Sequence, residues 1–207
     1  MNWDGIDWEA LGRLRRRFIG EVAFNGPYWE SEAELTSYDL TYGERIGWKW
    51  DQVLRELRLR GWSPPAGPLL DWGCGSGIAS RRVLRAFGAG WCSGLTLWDH
   101  SPLAAGYAAA AAAREFPGLD VAQATTAFLE SGEPVGLLVV SHVLNELPPA
   151  ALESLHALAS RASAVLWVES GSAAVSRALG ASREKLRADF RVVAPCTHEG
   201  ACPVLAE

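Results

Sequence analysis

Apolar positions along this chain follow two different patterns, and the change comes near residue 62. Before it they recur at intervals of three and four. Trp8, Leu11, Leu14, Phe18 and Val22 share one side of a predicted helix, the spacing of a half-buried helical face. Asn25-Gly26-Pro27 interrupts that pattern. A second helix is predicted over 30–40 and a third over 43–59, with Ile46, Trp50, Val53, Leu54 and Leu57 on one face. The stretch 61–68 holds three Pro and two Gly and reads as a linker. The expected organisation is a helical N-terminal extension over 1–62 and a core over 63–207.

Beyond the linker, short apolar runs alternate with helical patterns. Strands are predicted over 68–71, 94–99, 120–124, 136–141, 164–169 and 190–194, and helices over 78–87, 102–116, 149–161, 173–179 and 183–189. Leu137-Leu138-Val139-Val140 is unbroken by polar residues, as suits a central parallel strand covered on both faces. The helix over 102–116 is all alanine from 108 to 113, a strong helix former whose small side chains allow close packing. Strands alternating with helices predict an α/β fold: a doubly wound, mostly parallel, Rossmann-like sheet.

The chemistry concentrates at the predicted carboxyl ends of these strands, where open parallel sheets bind ligands. Leu69-Leu70-Asp71-Trp72-Gly73-Cys74-Gly75-Ser76-Gly77 is a strand, a glycine turn and a helix start. Such a turn lets backbone approach a ligand closely, and the helix after it offers free N–H groups. Asp71, Gly73, Cys74, Gly75 and Gly77 are therefore candidate cofactor-binding residues, Asp71 as support. The spacing is G-x-G-x-G, not the G-x-G-x-x-G of dinucleotide sites. Asp99, 22 residues after Gly77, ends the second strand, with His100 beside it. A carboxylate there accepts hydrogen bonds from ribose hydroxyls, and an N-capping role for the next helix, with Ser101 and Pro102, is compatible with that.

After the fourth strand comes Ser141-His142-Val143-Leu144-Asn145-Glu146, and after the fifth Glu169-Ser170-Gly171. Ser141 is a cofactor candidate, and His142 and Glu146 are catalytic candidates that would share a face on a helical turn. His142 could serve as general base. A structural His, with Asn145 and Glu146 starting a helix, is the equal alternative. Pro195-Cys196 follows the sixth predicted strand, not the fourth or fifth, which argues against a cysteine nucleophile of the RNA cytosine-methylating kind.

Composition narrows the picture. At 207 residues and 49% hydrophobic, this is one domain of ordinary size. No apolar run reaches the length of a membrane span, and the acidic Met1-Asn2-Trp3-Asp4 lacks signal-peptide order, so a cytoplasmic protein without membrane partners is expected. Net charge is −5, which argues mildly against nucleic acid. Two local clusters run the other way: Arg13, Arg15, Arg16 and Arg17, and Arg81, Arg82 and Arg85. Each reads first as a solvated helix face. Four Cys do not imply a disulfide framework. Cys196, His198 and Cys202 lie close enough for a metal or iron–sulfur site, but two thiolates cannot complete one.

The glycine loop with its preceding acid resembles the first motif of class I S-adenosylmethionine-dependent methyltransferases. Four blocks together resemble the Rsm22-type family of small-ribosomal-subunit methyltransferase-like proteins. These are the helix pattern over 38–57, the glycine loop, Ser141-His142-Val143-Leu144-Asn145-Glu146-Leu147-Pro148, and Val168-Glu169-Ser170-Gly171 with Val193-Ala194-Pro195-Cys196-Thr197-His198-Glu199-Gly200-Ala201-Cys202-Pro203. The resemblance implies S-adenosylmethionine as cofactor and small-subunit rRNA or the small ribosomal subunit as partner. It also implies that Cys196 and Cys202 belong to a cysteine set holding an iron–sulfur cluster, whose further members lie downstream in the family. The family's sheet closes with an antiparallel hairpin, of which 190–194 supplies the first arm. Two rivals stand beside this reading: a non-catalytic assembly factor retaining the fold, and a small-molecule methyltransferase, which the acidic composition favours.

Overall fold

A computed structural model describes residues 5–18 and 28–205. Met1 to Asp4, Val22, the Asn25-Gly26-Pro27 break and Glu207 lie outside the described residues.

The N-terminal part is helical, as its periodicity requires. Helix α1 (Trp8–Phe18) buries Leu11 and Leu14, but Trp8 faces out, against expectation. Helices α2 (Glu32–Tyr38) and α3 (Glu44–Leu59) are joined by a single π-helical turn over Asp39–Gly43. The predicted gap between them is therefore a wound continuation, with Gly43 still helical. Such turns often accompany functional sites. On α3, Trp50, Leu54 and Leu57 are buried, matching the predicted face.

Five strands form the sheet: β1 (Gly67–Trp72), β2 (Cys92–Trp98), β3 (Val121–Gln123), β4 (Val135–Ser141) and β5 (Ala162–Val168). Their order is β3-β2-β1-β4-β5, and every pairing is parallel. Helices α4 (Ile78–Phe87), α5 (Pro102–Glu115), α6 (Thr126–Glu130), α7 (Pro149–Ala159) and α8 (Ala173–Leu186) complete the core. One face of the sheet, with Leu69, Leu97 and Leu137, packs on α3, α4 and α5. The other, with Leu70, Leu138 and Val140, packs on α7 and α8. All of β4 except Ser141 is buried, as its unbroken apolar run demands. Among the described residues no helix is long and apolar enough to cross a membrane.

Three elements differ from expectation. The two helices predicted over 173–179 and 183–189 are one, α8, which runs through Gly180. A Cβ at Gly180 would sit 3.4 Å from Leu205, so the glycine makes room for the C-terminal turn. Helix α6 was not expected; Thr125 caps it, accepting from Phe128 N at 3.2 Å. The predicted strand 190–194 is irregular. Carbonyls in and just after it turn to a side chain instead of a sheet edge: Arg60 donates to Val193 O at 2.9 Å and to Pro195 O and Cys196 O at 3.4 Å.

Candidate active site

The order β3-β2-β1-β4-β5 reverses direction between β1 and β4, so the connections leaving their carboxyl ends diverge and open a crevice. A cavity of about 620 Å³ lies there, within the usual size range of small-molecule sites. Three walls enclose it.

The first wall is the glycine loop, folded back onto β2. Gly73 N and Cys74 N both donate to Trp98 O, at 2.8 and 2.9 Å. Asp99 Oδ2 accepts from Gly75 N at 2.9 Å, and Oδ1 accepts from Ser101 N at 2.8 Å. Asp99 thus ties the loop to the tip of β2 while it lines the cavity. Burial pushes its carboxyl up, and the Ser101 and Gly75 N–H bonds oppose that. His100 Nδ1 lies 3.4 Å from Asp99 Oδ1, and His100 also lines the cavity.

Two glycines of the loop have no substitute. At Gly73 φ is +69, and a Cβ would lie 2.7 Å from Val143 Cγ1. At Gly77 φ is +74, and a Cβ would lie 2.8 Å from Ala108 Cβ. The alanine run of α5 is therefore matched to the loop it packs against.

Asp71 lies beneath the loop, not in the cavity lining. It is fully buried, and one of its oxygens accepts from Ser80 N at 3.3 Å while the other has no partner among the described residues. Burial pushes its carboxyl up to about 7. Gly77 likewise supports from outside, as the N-cap of α4. Cys74 lines the cavity, and burial pushes its thiol up, so it stays protonated. Trp72 and Trp98, neighbours in register on β1 and β2, stack at 4.7 Å and 25° and add an aromatic surface.

The second wall follows β4. His142 adopts φ +57, an uncommon conformation for a side chain other than glycine, and its N–H is fixed to Val168 O at 2.9 Å. The segment then turns, with Glu146 N donating to Val143 O at 2.9 Å. No helical turn carries His142 and Glu146, contrary to expectation, yet both line the cavity. Lys49 Nζ lies 3.0 Å from His142 Nε2. A lysine ammonium can only donate, so Nε2 accepts and Nδ1 carries the hydrogen, 3.2 Å from Ser141 Oγ. That hydroxyl also accepts from Trp50 Nε1 at 2.9 Å, which leaves its own hydrogen free to donate. Burial, reinforced by Lys49, pushes His142 down to about 4, making it a weak base. Glu146 is pushed up to about 7 by burial and by the charges of Asp99 and Glu169.

Glu169 is not in the lining. Its Oε1 accepts from Val143 N at 3.0 Å, Leu144 N at 3.2 Å and Trp167 Nε1 at 2.9 Å. Glu169 therefore clasps the loop after β4 instead of flanking an acceptor.

The third wall comes from the N-terminal part, the extension expected from the sequence, although none of its lining residues was a sequence candidate for the site. Phe18, Tyr28, Tyr38, Tyr42 and Lys49 line this side. Phe18 meets Tyr28, Tyr38 and Tyr42 edge-on at 5.9 to 6.1 Å. Burial and the Glu146 charge push the Tyr28 and Tyr38 hydroxyls up, so both are neutral donors. The aromatic richness of the first 62 residues was the available signal.

The cavity sets the carboxyls of Asp99 and Glu146 and neutral tyrosine hydroxyls among aromatic faces, with Arg45 and Lys49 also in its lining, and its aromatic faces can attract a ligand cation. The thiols of Cys196 and Cys202 are free and partly exposed. Among the described residues no three Cys, His, Asp or Glu side chains converge as a metal requires, so these two cysteines do not by themselves complete a cluster site. Nor is the α4 cluster a free basic face. Arg81 reaches both oxygens of Asp39 at 2.6 and 2.7 Å, Arg82 binds Glu44 and Asp51, and Arg85 binds Glu115.

The family described as mitochondrial small ribosomal subunit Rsm22 matches residues 63–207. No curated protein matches the chain. Among solved structures, magnesium protoporphyrin IX methyltransferase from Synechocystis PCC 6803 with bound SAH is similar at 22% identity and a TM-score of 0.46, covering 75% of this chain and 64% of that one. An O-methyltransferase family protein from Burkholderia thailandensis is 15% identical with a TM-score of 0.46, over 76% of this chain and 46% of that one. Thermoplasma acidophilum 1320 is 14% identical with a TM-score of 0.44, over 67% and 77%. The chain therefore spans less than two thirds of the length of the first two.

Proposed function

This chain belongs to the Rsm22 family, and from that membership we propose that it binds S-adenosylmethionine and methylates small-subunit rRNA or an assembly intermediate containing it. The observation that carries the reading is one cavity with Asp99 on its β2 side and Glu146 on its β4 side. Asp99, steadied by Gly75 and Ser101, retains lone pairs for ribose hydroxyls. Gly73, Cys74 and Gly75 give the cofactor a backbone surface without side-chain bulk. His100 and Ser141 flank it as further polar contacts, the Ser141 hydroxyl as donor. The cofactor, when bound, supplies a sulfonium methyl carbon open to in-line displacement.

The chain's own work is positioning and proton handling. Positioning can supply most of the acceleration. Glu146, with its carboxyl at about 7, takes a proton from an acceptor N–H or O–H near neutral pH. His142, held at about 4 and engaged by Lys49, orients the wall and is the weaker candidate base.

The test is transfer of tritium from labelled S-adenosylmethionine to isolated small ribosomal subunits. Label in rRNA that is lost with Glu146→Gln supports the proposal. A second reading, a non-catalytic assembly factor, is favoured by the internal engagement of both His142 ring nitrogens. Cofactor binding and co-sedimentation with small subunits, without transfer, would establish it. Failure to co-sediment would return the small-molecule alternative.

A further inference from the structure

A second groove, of about 530 Å³, runs between α1 and the π turn with the start of α3. Leu11, Arg15, Leu40, Arg45, Trp8 and Trp48 line it. Tyr42 and Arg45 line both this groove and the candidate active site, so the two adjoin. We propose that this groove holds single-stranded RNA leading into the site, an inference that rests on the rRNA reading above.

Three observations carry it. Trp8 and Trp48 are 62% and 58% exposed, far more than burial of indoles favours. Trp48 Nε1 donates to Glu44 Oε1 at 3.1 Å, which orients the ring. Second, the charges around the groove are unequal in kind. Arg15, Arg16 and Arg45 form no ion pair among the described residues. By contrast, Arg13 and Arg17 on the same helix pair with Glu30, and the arginines of α4 are all paired. Glu44, the acid in the lining, is already bound by Arg82 at 2.6 Å. Third, the cationic side chains continue along α3 from Arg45 to Lys49, which lines the candidate active site and donates to His142 Nε2. A chain of net charge −5 thus presents a local run of cations interleaved with indoles. Cations that track phosphates, beside aromatic faces that stack bases, are the recognition chemistry of single-stranded nucleic acid. A purely apolar protein ligand would have no use for the unpaired arginines.

The test is fluorescence anisotropy of the full chain with a labelled single-stranded RNA of mixed sequence, with its duplex as control, across a salt series. Trp48→Ala and Trp8→Ala are expected each to weaken single-strand binding roughly tenfold. Arg15→Glu is expected to weaken it and lower the salt slope by about one to two. S-adenosylmethionine binding by Trp48→Ala, measured by calorimetry, is expected to be unchanged. Variants that bind RNA as the wild type does overturn the groove, whether or not the cofactor binds. Unchanged RNA binding with lost co-sedimentation on small subunits assigns the groove to a protein instead. Absence of cofactor binding in the wild type, with RNA binding intact and groove-dependent, overturns the methyltransferase reading and leaves this surface standing.

Discussion

The two main walls of the cavity differ in how far their polar groups are already satisfied. On the β1–β2 side, both oxygens of Asp99 hold backbone N–H groups, and two loop N–H groups share the Trp98 carbonyl. On the β4 side, the Ser141 hydroxyl keeps a free hydrogen, and Glu146 stands half-buried with its carboxyl displaced to about 7. A wall closed on itself fixes shape. A wall whose displaced carboxyl is not engaged by backbone N–H groups is a candidate for reactivity. The difference is what the proposal rests on in giving cofactor placement to the first and proton handling to the second.

The largest effect is expected from breaking the shape of the first wall. Gly77→Ala combines an unfavourable φ with an overlap against Ala108. The expected loss is about 3 kcal/mol, read as a fall in Tm of roughly 10 °C. A Tm unchanged within a degree or two would show that α5 yields there. Next comes Asp99→Ala, which removes the acceptor of two backbone bonds and the proposed ribose contact. Cofactor affinity should fall on the order of a hundredfold by calorimetry, with Asp99→Asn falling less.

On the second wall, Glu146→Gln should lower the transfer rate and flatten its dependence on pH near neutrality. The same variant carries a stability signature. The Glu146 carboxyl is raised from 4.5 to about 7, so between those values the native state holds a proton that the unfolded state has released. Its contribution to stability is present below about 4.5 and is lost as pH rises through about 7. Chemical unfolding across that window should show a shallower decline for Glu146→Gln than for wild type. Asp71, raised from 3.8 to about 7, contributes a decline of the same sign in both proteins. The smallest effect is expected at His142. Asn tolerates the same left-handed backbone, and His142→Asn should keep transfer within about threefold if the imidazole only orients. A loss of a hundredfold would make His142 the base.

The same contrast explains what was legible in the sequence. The first wall is local: Asp71 to Gly77 is contiguous, and Asp99 ends the neighbouring strand, so a short motif and one strand spacing reveal it. Asp71 supports the loop from beneath, as expected, whereas Glu169, expected from its place after the fifth strand to flank the acceptor, lies outside the cavity lining. Both positions end strands, but whether a side chain turns into the crevice or under a loop depends on backbone N–H groups that no pattern displays. The second and third walls are assembled across long separations. Lys49 meets His142 from 93 residues away, and Trp50 meets Ser141 from 91. Nothing near His142 announced that its basicity would be suppressed. Trp8 fits the helical period, yet faces the groove, because periodicity names a face without saying what covers it. The strand expected over 190–194 failed for a related reason: its apolar run was real, but Arg60, which caps α3, and not a neighbouring strand, takes the Val193 carbonyl.

Titration of S-adenosylmethionine into the folded wild-type chain by calorimetry tests the central claim most directly. One site per chain, weakened on the order of a hundredfold in Asp99→Ala without loss of the folded state, is the predicted result. A folded protein that gives no binding heat across a range of temperatures would contradict it.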